Sequence, residues 1–233
     1  MADLTYFMLS FALDPIEAAY KAGSEYLKEQ FAEAERDYES LLRSAKAEGR
    51  DLYEIDEESG QGFDVGEHTY YRQVVIENAL QAHRQAFATM IHHAWEKHVC
   101  FVLRVPEYRF KNAYAEMARK IGATVDRGRL ERLRKTANCV KHESAELYDA
   151  HPEMFDGQEL HLMDAGLTSS ERKADKRVSK TGERGDWLDA LRLSDEDIAD
   201  FIDAVRTSAR PSDKFRNRWR KPNPNTPGLL TTE

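Results

Sequence analysis

Apolar residues recur three and four positions apart along most of the chain, the period of a helix with one buried face. Ile16, Ala19, Tyr20, Leu27, Phe31, Ala34, Tyr38 and Leu41 trace such a stripe. Asp14 before Pro15 places an N-cap and a first-turn proline at its start, and Gly49 closes it. The pattern predicts a first long helix over 14–48. A second runs over 67–103, where Phe87 to Val102 is apolar on more than one side, so it belongs at the centre of a bundle. Pro106 ends it. A shorter helix over 110–121 stops at Gly122. The next runs to His142, with Thr124 or Asp126 as its cap and Leu130, Leu133, Ala137 and Val140 inward. Ser194 and Asp197 cap a last helix through residue 209, whose apolar face is Ile198, Phe201, Ile202 and Val205.

The remainder lacks such a period. Residues 51–66 carry six acidic residues and three glycines and read as an exposed loop. Residues 144–155 read as a short helical segment broken at Pro152. Residues 156–186 read as a long, partly mobile loop with room for a short strand or hairpin near 159–163. No repeat and no run of alternating strands appears. The predicted fold class is all-α: an up-and-down bundle of four main helices with short extra helices. Residues 1–66 form an N-terminal helix and acidic loop packed on the bundle, 67–210 the bundle itself, and 211–233 a flexible tail.

Composition agrees with that picture. The 233 residues suffice for a sizeable core, and 41% hydrophobic with 33% charged residues suits a soluble helical protein. No apolar run approaches the roughly 20 residues of a membrane span. The apolar stretch from Leu4 to Leu13 has no Lys or Arg before it, so it is expected to join the fold rather than act as a secretion signal. Two cysteines, Cys100 and Cys139, both read as buried thiols of a reducing cytoplasm. The net charge of −8 argues against indiscriminate coating of nucleic acid. Yet from Arg104 to His142 eleven Lys/Arg stand against four Asp/Glu. Two readings of that excess stay open: a local surface for a specific nucleic acid, or complementary packing of a basic helix on an acidic one.

Candidate chemistry narrows quickly. His92, His93, Glu96 and His98 cluster on the second helix, but neither a zincin spacing nor a paired Glu-x-x-His is present, so no metal or cofactor is expected. No glycine-rich phosphate loop and no nucleophile elbow occurs. Cys139 points toward the core side of its helix, as an inert thiol. What remains is the border of the fourth stripe. At 100° per residue, Lys141, Arg134, Asn138 and His142 fall roughly 20° to 120° round from Leu130. Two cations, an amide and an imidazole there can form an anion site or an ordinary polar flank.

The run Arg134-Lys-Thr-Ala-Asn138-Cys-Val-Lys141-His142 resembles the Asn-x-x-Lys-His signature of helical HEPN-type domains. Ser144-Ala145, Pro152 to Phe155 and the capped last helix resemble what accompanies that signature in uncharacterised bacterial members. The likeness covers about 70–210. It implies a bundle that dimerises along the motif helices and cuts RNA without metal, as a toxin or phage-defence effector in the cytoplasm. His142 would then be the proton-transfer group, Asn138 its orienter or a phosphate ligand, and Arg134 or Lys141 the phosphate cation. Glu96 would orient an imidazole. The family's catalytic pattern places four to six residues between Arg and His. Here seven separate Arg134 from His142, and only Lys135 falls at that spacing. The alternative expectation is a non-catalytic helical dimer, binding RNA or serving as a protein-binding subunit in a defence or toxin–antitoxin system.

Overall fold

The computed structural model describes residues 2–49, 51–55, 62–106 and 110–212. The proposed tail from residue 213 onward lies outside them. Four helices form the bundle: α1 (Ala2–Glu48), α2 (Val65–Leu103), α4 (Arg127–His142) and α7 (Asp195–Ala209). The chain is all-α in its packing. Helix α2 is the axis, touching α1, α4 and α7 as well as α3 (Phe110–Ile121). Trp95, Ile91 and Ala88 on α2 are almost wholly buried, with Leu130 and Leu133 of α4 and Ile198 and Phe201 of α7. Each of the larger apolar side chains among these contributes about 1.5–3 kcal/mol by leaving water.

Helices α1 and α2 run antiparallel. Arg72 pairs with Asp37 near one end, and His83 stacks on Tyr20 with ring centroids 5.3 Å apart further along. Gly23 leaves the space the His83 ring fills: a Cβ there would stand 2.4 Å from it.

The helix starts and stops are mostly those expected. Asp64 caps α2, accepting from the Gly66 and Glu67 amides. Asp126 caps α4, and Ser194 with Asp197 forms a capping box on α7. Gly49 and Gly122 take the left-handed backbone that ends a helix without a Cβ penalty.

The start of α1 differs. It is helical from Ala2, so Asp14 is not its cap and Pro15 sits inside it. Pro15 removes one amide donor from the helix interior, a cost of roughly 3 kcal/mol. Leu9 and Leu13, ahead of it, are buried in the core and offset that cost. Asp14 instead pairs with Arg206 of α7 at 2.6 Å. The segment Leu4 to Leu13 is thus part of the bundle, although Phe7, Met8 and Phe11 face outward.

The loops are more ordered than their sequence implies. Residues 51–66 contain a small antiparallel hairpin, β1 (Tyr53–Ile55) with β2 (Gly62–Asp64). Residues 144–155 form turns and a single 3₁₀ turn, Pro152–Met154, rather than an α-helical segment. Residues 156–186 include β3 (Met163–Asp164) paired with β4 (Glu183–Arg184) and α5 (Ser169–Ala174). A short α6 (Trp187–Ala190) follows. Trp187 is fully buried and packs on Tyr148 and Phe155, which ties this excursion to the bundle. Cys139 is buried as expected, whereas Cys100 is only half-buried. Among the described residues no helix is long and apolar enough to cross a membrane.

Candidate functional site

Helix α4 lies between α2 and α7, with Leu130, Leu133, Thr136, Ala137 and Cys139 buried. Three of its four arginines are engaged, and Arg127 in the first turn is exposed. Arg129 pairs with Asp126, Asp200 and Asp203. Arg132 pairs with Asp197 and lies over the Phe201 ring, 5.2 Å from its centroid. Arg134 is held between Glu131 and Glu146, each at 2.7 Å. Burial works against the Arg134 charge, but these two carboxylates outweigh it and raise its pKa above the ordinary value. For this stretch the complementary-packing reading applies: the arginines hold α4 to α7 and to the turn after His142.

The next turn is different. Asn138 is half-buried, and Lys141 and His142 are exposed. Among the described residues none of the three side chains makes a hydrogen bond or ion pair. Glu143 ends the helix in a left-handed conformation at φ 52°, its amide returning to the Cys139 carbonyl. Lys141 and His142 therefore project from a fixed helix end, where cations also oppose the negative pole of the helix dipole.

Helix α2 supplies the other side of this seam. His92 is buried, and His93 is exposed beside it. One Glu96 oxygen stands 3.0 Å from His93 Nδ1 and 3.6 Å from His92 Nδ1. Burial, reinforced by the positive charges of Lys141, His93 and Arg134, pushes His92 down to about 3. His92 is thus a neutral imidazole within electrostatic reach of Lys141. Glu96 does orient an imidazole, but that of its own helix, His93.

The histidine cluster of α2 splits in three dimensions. His98 is buried near Trp95, with ring centroids 6.1 Å apart, and burial lowers its pKa to about 4. Among the described residues no three His, Cys, Asp or Glu side chains converge as a metal-binding group. Burial pushes the Cys139 thiol up to about 12, so it is not a nucleophile at neutral pH.

Of the four residues singled out in the sequence, Asn138, Lys141 and His142 form one unengaged strip, while Arg134 stands apart in its carboxylate clamp. Sequence spacing could not show that the buried His92 lies within reach of the Lys141 and Arg134 charges, because that depends on the packing of α2 against α4. No protein-family model, curated protein or solved structure matches the chain.

Proposed function

We propose that the chain is a HEPN-like endoribonuclease of the cytoplasm, cutting RNA with its own side chains as a stress or phage-defence effector. One observation carries the reading. Carboxylates neutralise Arg129, Arg132 and Arg134 of α4, whereas the half-buried Asn138 amide and the exposed Lys141 ammonium and His142 imidazole at its end have no hydrogen bond or ion pair among the described residues. Cleavage needs a base for the ribose 2′-OH, an acid for the leaving 5′-oxygen and a cation for the phosphorane. His142 takes the 2′-OH proton as the oxygen attacks phosphorus. Lys141 stabilises the charge on the phosphorane, and Asn138 holds a phosphate oxygen. The 5′-oxygen leaves with a proton from a second imidazole, and a 2′,3′-cyclic phosphate remains. A second copy of the chain, joined along α4, would bring that second imidazole.

The alternative, a dimeric binding module that does not cut, draws support from Arg134. A guanidinium held by two carboxylates is poorly placed to grip a phosphate. The two readings part on one assay. Purified protein and a His142→Ala variant are incubated with tRNA and mRNA in EDTA. The ribonuclease reading expects cleavage by the wild type and a loss of about 100-fold or more in the variant. Intact RNA at high wild-type concentration leaves only the binding module.

A further inference from the structure

The excursion between Phe155 and Trp187 brings a second set of cations to the end of α4. Its backbone is seated on the turn that follows His142. The Ala145 amide donates to the Lys176 carbonyl at 2.8 Å, and the Lys180 amide donates to Asp149 Oδ1 at 2.9 Å. Trp187 Nε1 donates to the Arg177 carbonyl at 2.7 Å, and the Cys139 thiol of α4 faces the Trp187 carbonyl at 3.8 Å. A tight turn closes over 179–183, with the Ser179 amide on the Glu183 carbonyl and Gly182 at φ 96°. The backbone of Lys176 is therefore fixed at Ala145, three residues beyond His142, and that of Lys180 at Asp149.

Two of the carboxylates nearby are ion-paired, Asp149 and Glu183 accept from neutral donors, and Glu143, next to His142, is exposed. Asp175 is gripped by Arg177, Glu146 by Arg134, and Asp149 by the Lys180 amide, while Glu183 accepts from the Thr181 hydroxyl. Lys176 and Lys180 are exposed, and among the described residues neither ammonium is hydrogen-bonded or ion-paired. On a chain with a net charge of −8, two exposed lysines without an ion pair, anchored through their backbones to the turn after His142, are a local exception.

We propose that Lys176 and Lys180 extend the site into a track for the phosphate backbone of single-stranded RNA, leading to His142. The inference rests on the ribonuclease reading. A single strand is the occupant because the 2′-oxygen must swing in line with the scissile phosphate, which a stacked A-form helix prevents. Lysines are suited to a track of this kind: point charges on flexible stems grip phosphates without reading bases.

The test uses the full chain carrying His142→Ala, so that labelled single-stranded RNA survives. Binding is followed by fluorescence anisotropy from about 50 to 200 mM salt. Each phosphate contact to a single strand contributes about 0.7 to the slope of log K against log salt. Lys176→Gln with Lys180→Gln is expected to reduce that slope by about 1.4. Arg36→Gln with Lys46→Gln, exposed cations on α1, changes the charge equally and is expected to leave the slope unchanged. With His142 restored, the 176/180 pair raises KM for a long strand and leaves kcat on a dinucleotide unaltered. Circular dichroism checks that both pairs fold. RNA binding with an unchanged slope in the 176/180 pair, or an equal fall in both pairs, overturns the track and spares the ribonuclease reading. Absence of both binding and cleavage in the wild type removes that reading and the track with it. Polyglutamate that binds more tightly than RNA, and is lost in the 176/180 pair, reassigns these lysines to an acidic protein partner.

Discussion

His92 and His98 are two imidazoles that the fold keeps neutral, at about 3 and about 4 against an ordinary value of 6.5. The unfolded chain binds protons on both as the pH falls below 6.5, and the native chain does not. Their contribution to stability is therefore complete above pH 7 and is lost as the pH drops. By pH 5 the loss is roughly 2 kcal/mol per imidazole. Urea unfolding at pH 7 and pH 5 reads this directly, and His98→Leu is expected to halve the difference. The window is distinct from that of Asp195, which burial raises but Lys28, Tyr20 and Arg84 hold down to about 2. Its contribution disappears only below about pH 4. Arg134 gives a second test at this scale. If its role is to clamp Glu131 and Glu146, Arg134→Met costs about 1–2 kcal/mol of stability and, under the proposed ribonuclease function, changes RNA cleavage only a few-fold. A loss of turnover as large as that of His142→Ala would return Arg134 to the phosphate. The sequence spacing placed Arg134 in one sector with Lys141 and Asn138, and the helix does turn it that way. What no spacing could carry is Glu146, which reaches back from beyond the helix end.

Among the elements, caps were legible because their physics is local. Asp126 and Ser194 each satisfy amides within three residues of themselves, so the pattern and the structure agree there. Pro15 was misleading for the converse reason. Its preference for a first turn is a local statistic, and burial of Leu9 and Leu13 against distant helices overrode it. The two-residue strands of residues 156–186 are too short to show any period: the hairpin expected near 159–163 meets β3 only at Met163, and the pairing with residues 183–184 shows only in tertiary contacts. These origins predict different mutational signs. Ser194→Ala removes a working cap and is expected to lower stability by about 1 kcal/mol. Asp14→Ala loses only the partly exposed pair with Arg206, worth about 0.2–1 kcal/mol. Pro15→Ala restores an interior amide and is expected to stabilise α1 by about 1–3 kcal/mol. Thermal unfolding of the three variants separates a helix that starts at Asp14 from one that runs through it. If α1 began at Pro15, Asp14→Ala would cost as much as Ser194→Ala, and Pro15→Ala would not stabilise.

Across the whole molecule, the lobe of residues 143–192 is attached to α4 through Cys139 and Arg134, and to α2 where Gln85 donates to the Leu188 and Leu191 carbonyls. Trp187 is the link on the lobe side. It is fully buried, stacks near Tyr148 and Phe155, donates to the Arg177 carbonyl and presents its own carbonyl to Cys139. The α1–α2 pairing has its own contacts, Tyr20 with His83 and Phe87 among them. It does not use Trp187. Trp187→Ala is therefore expected to cost about 3–5 kcal/mol, spread unevenly. Amide exchange should rise sharply across residues 176–184, where the seat for Lys176 and Lys180 is lost, and little across residues 20–35 and 80–95. A uniform rise would mean that lobe and bundle unfold as one unit. The uneven result would separate two roles for residues at the end of α4. His142, placed by the helix alone, would keep its position, while Lys176 and Lys180, placed by the lobe, would lose theirs. RNA affinity would then fall further than turnover on a dinucleotide.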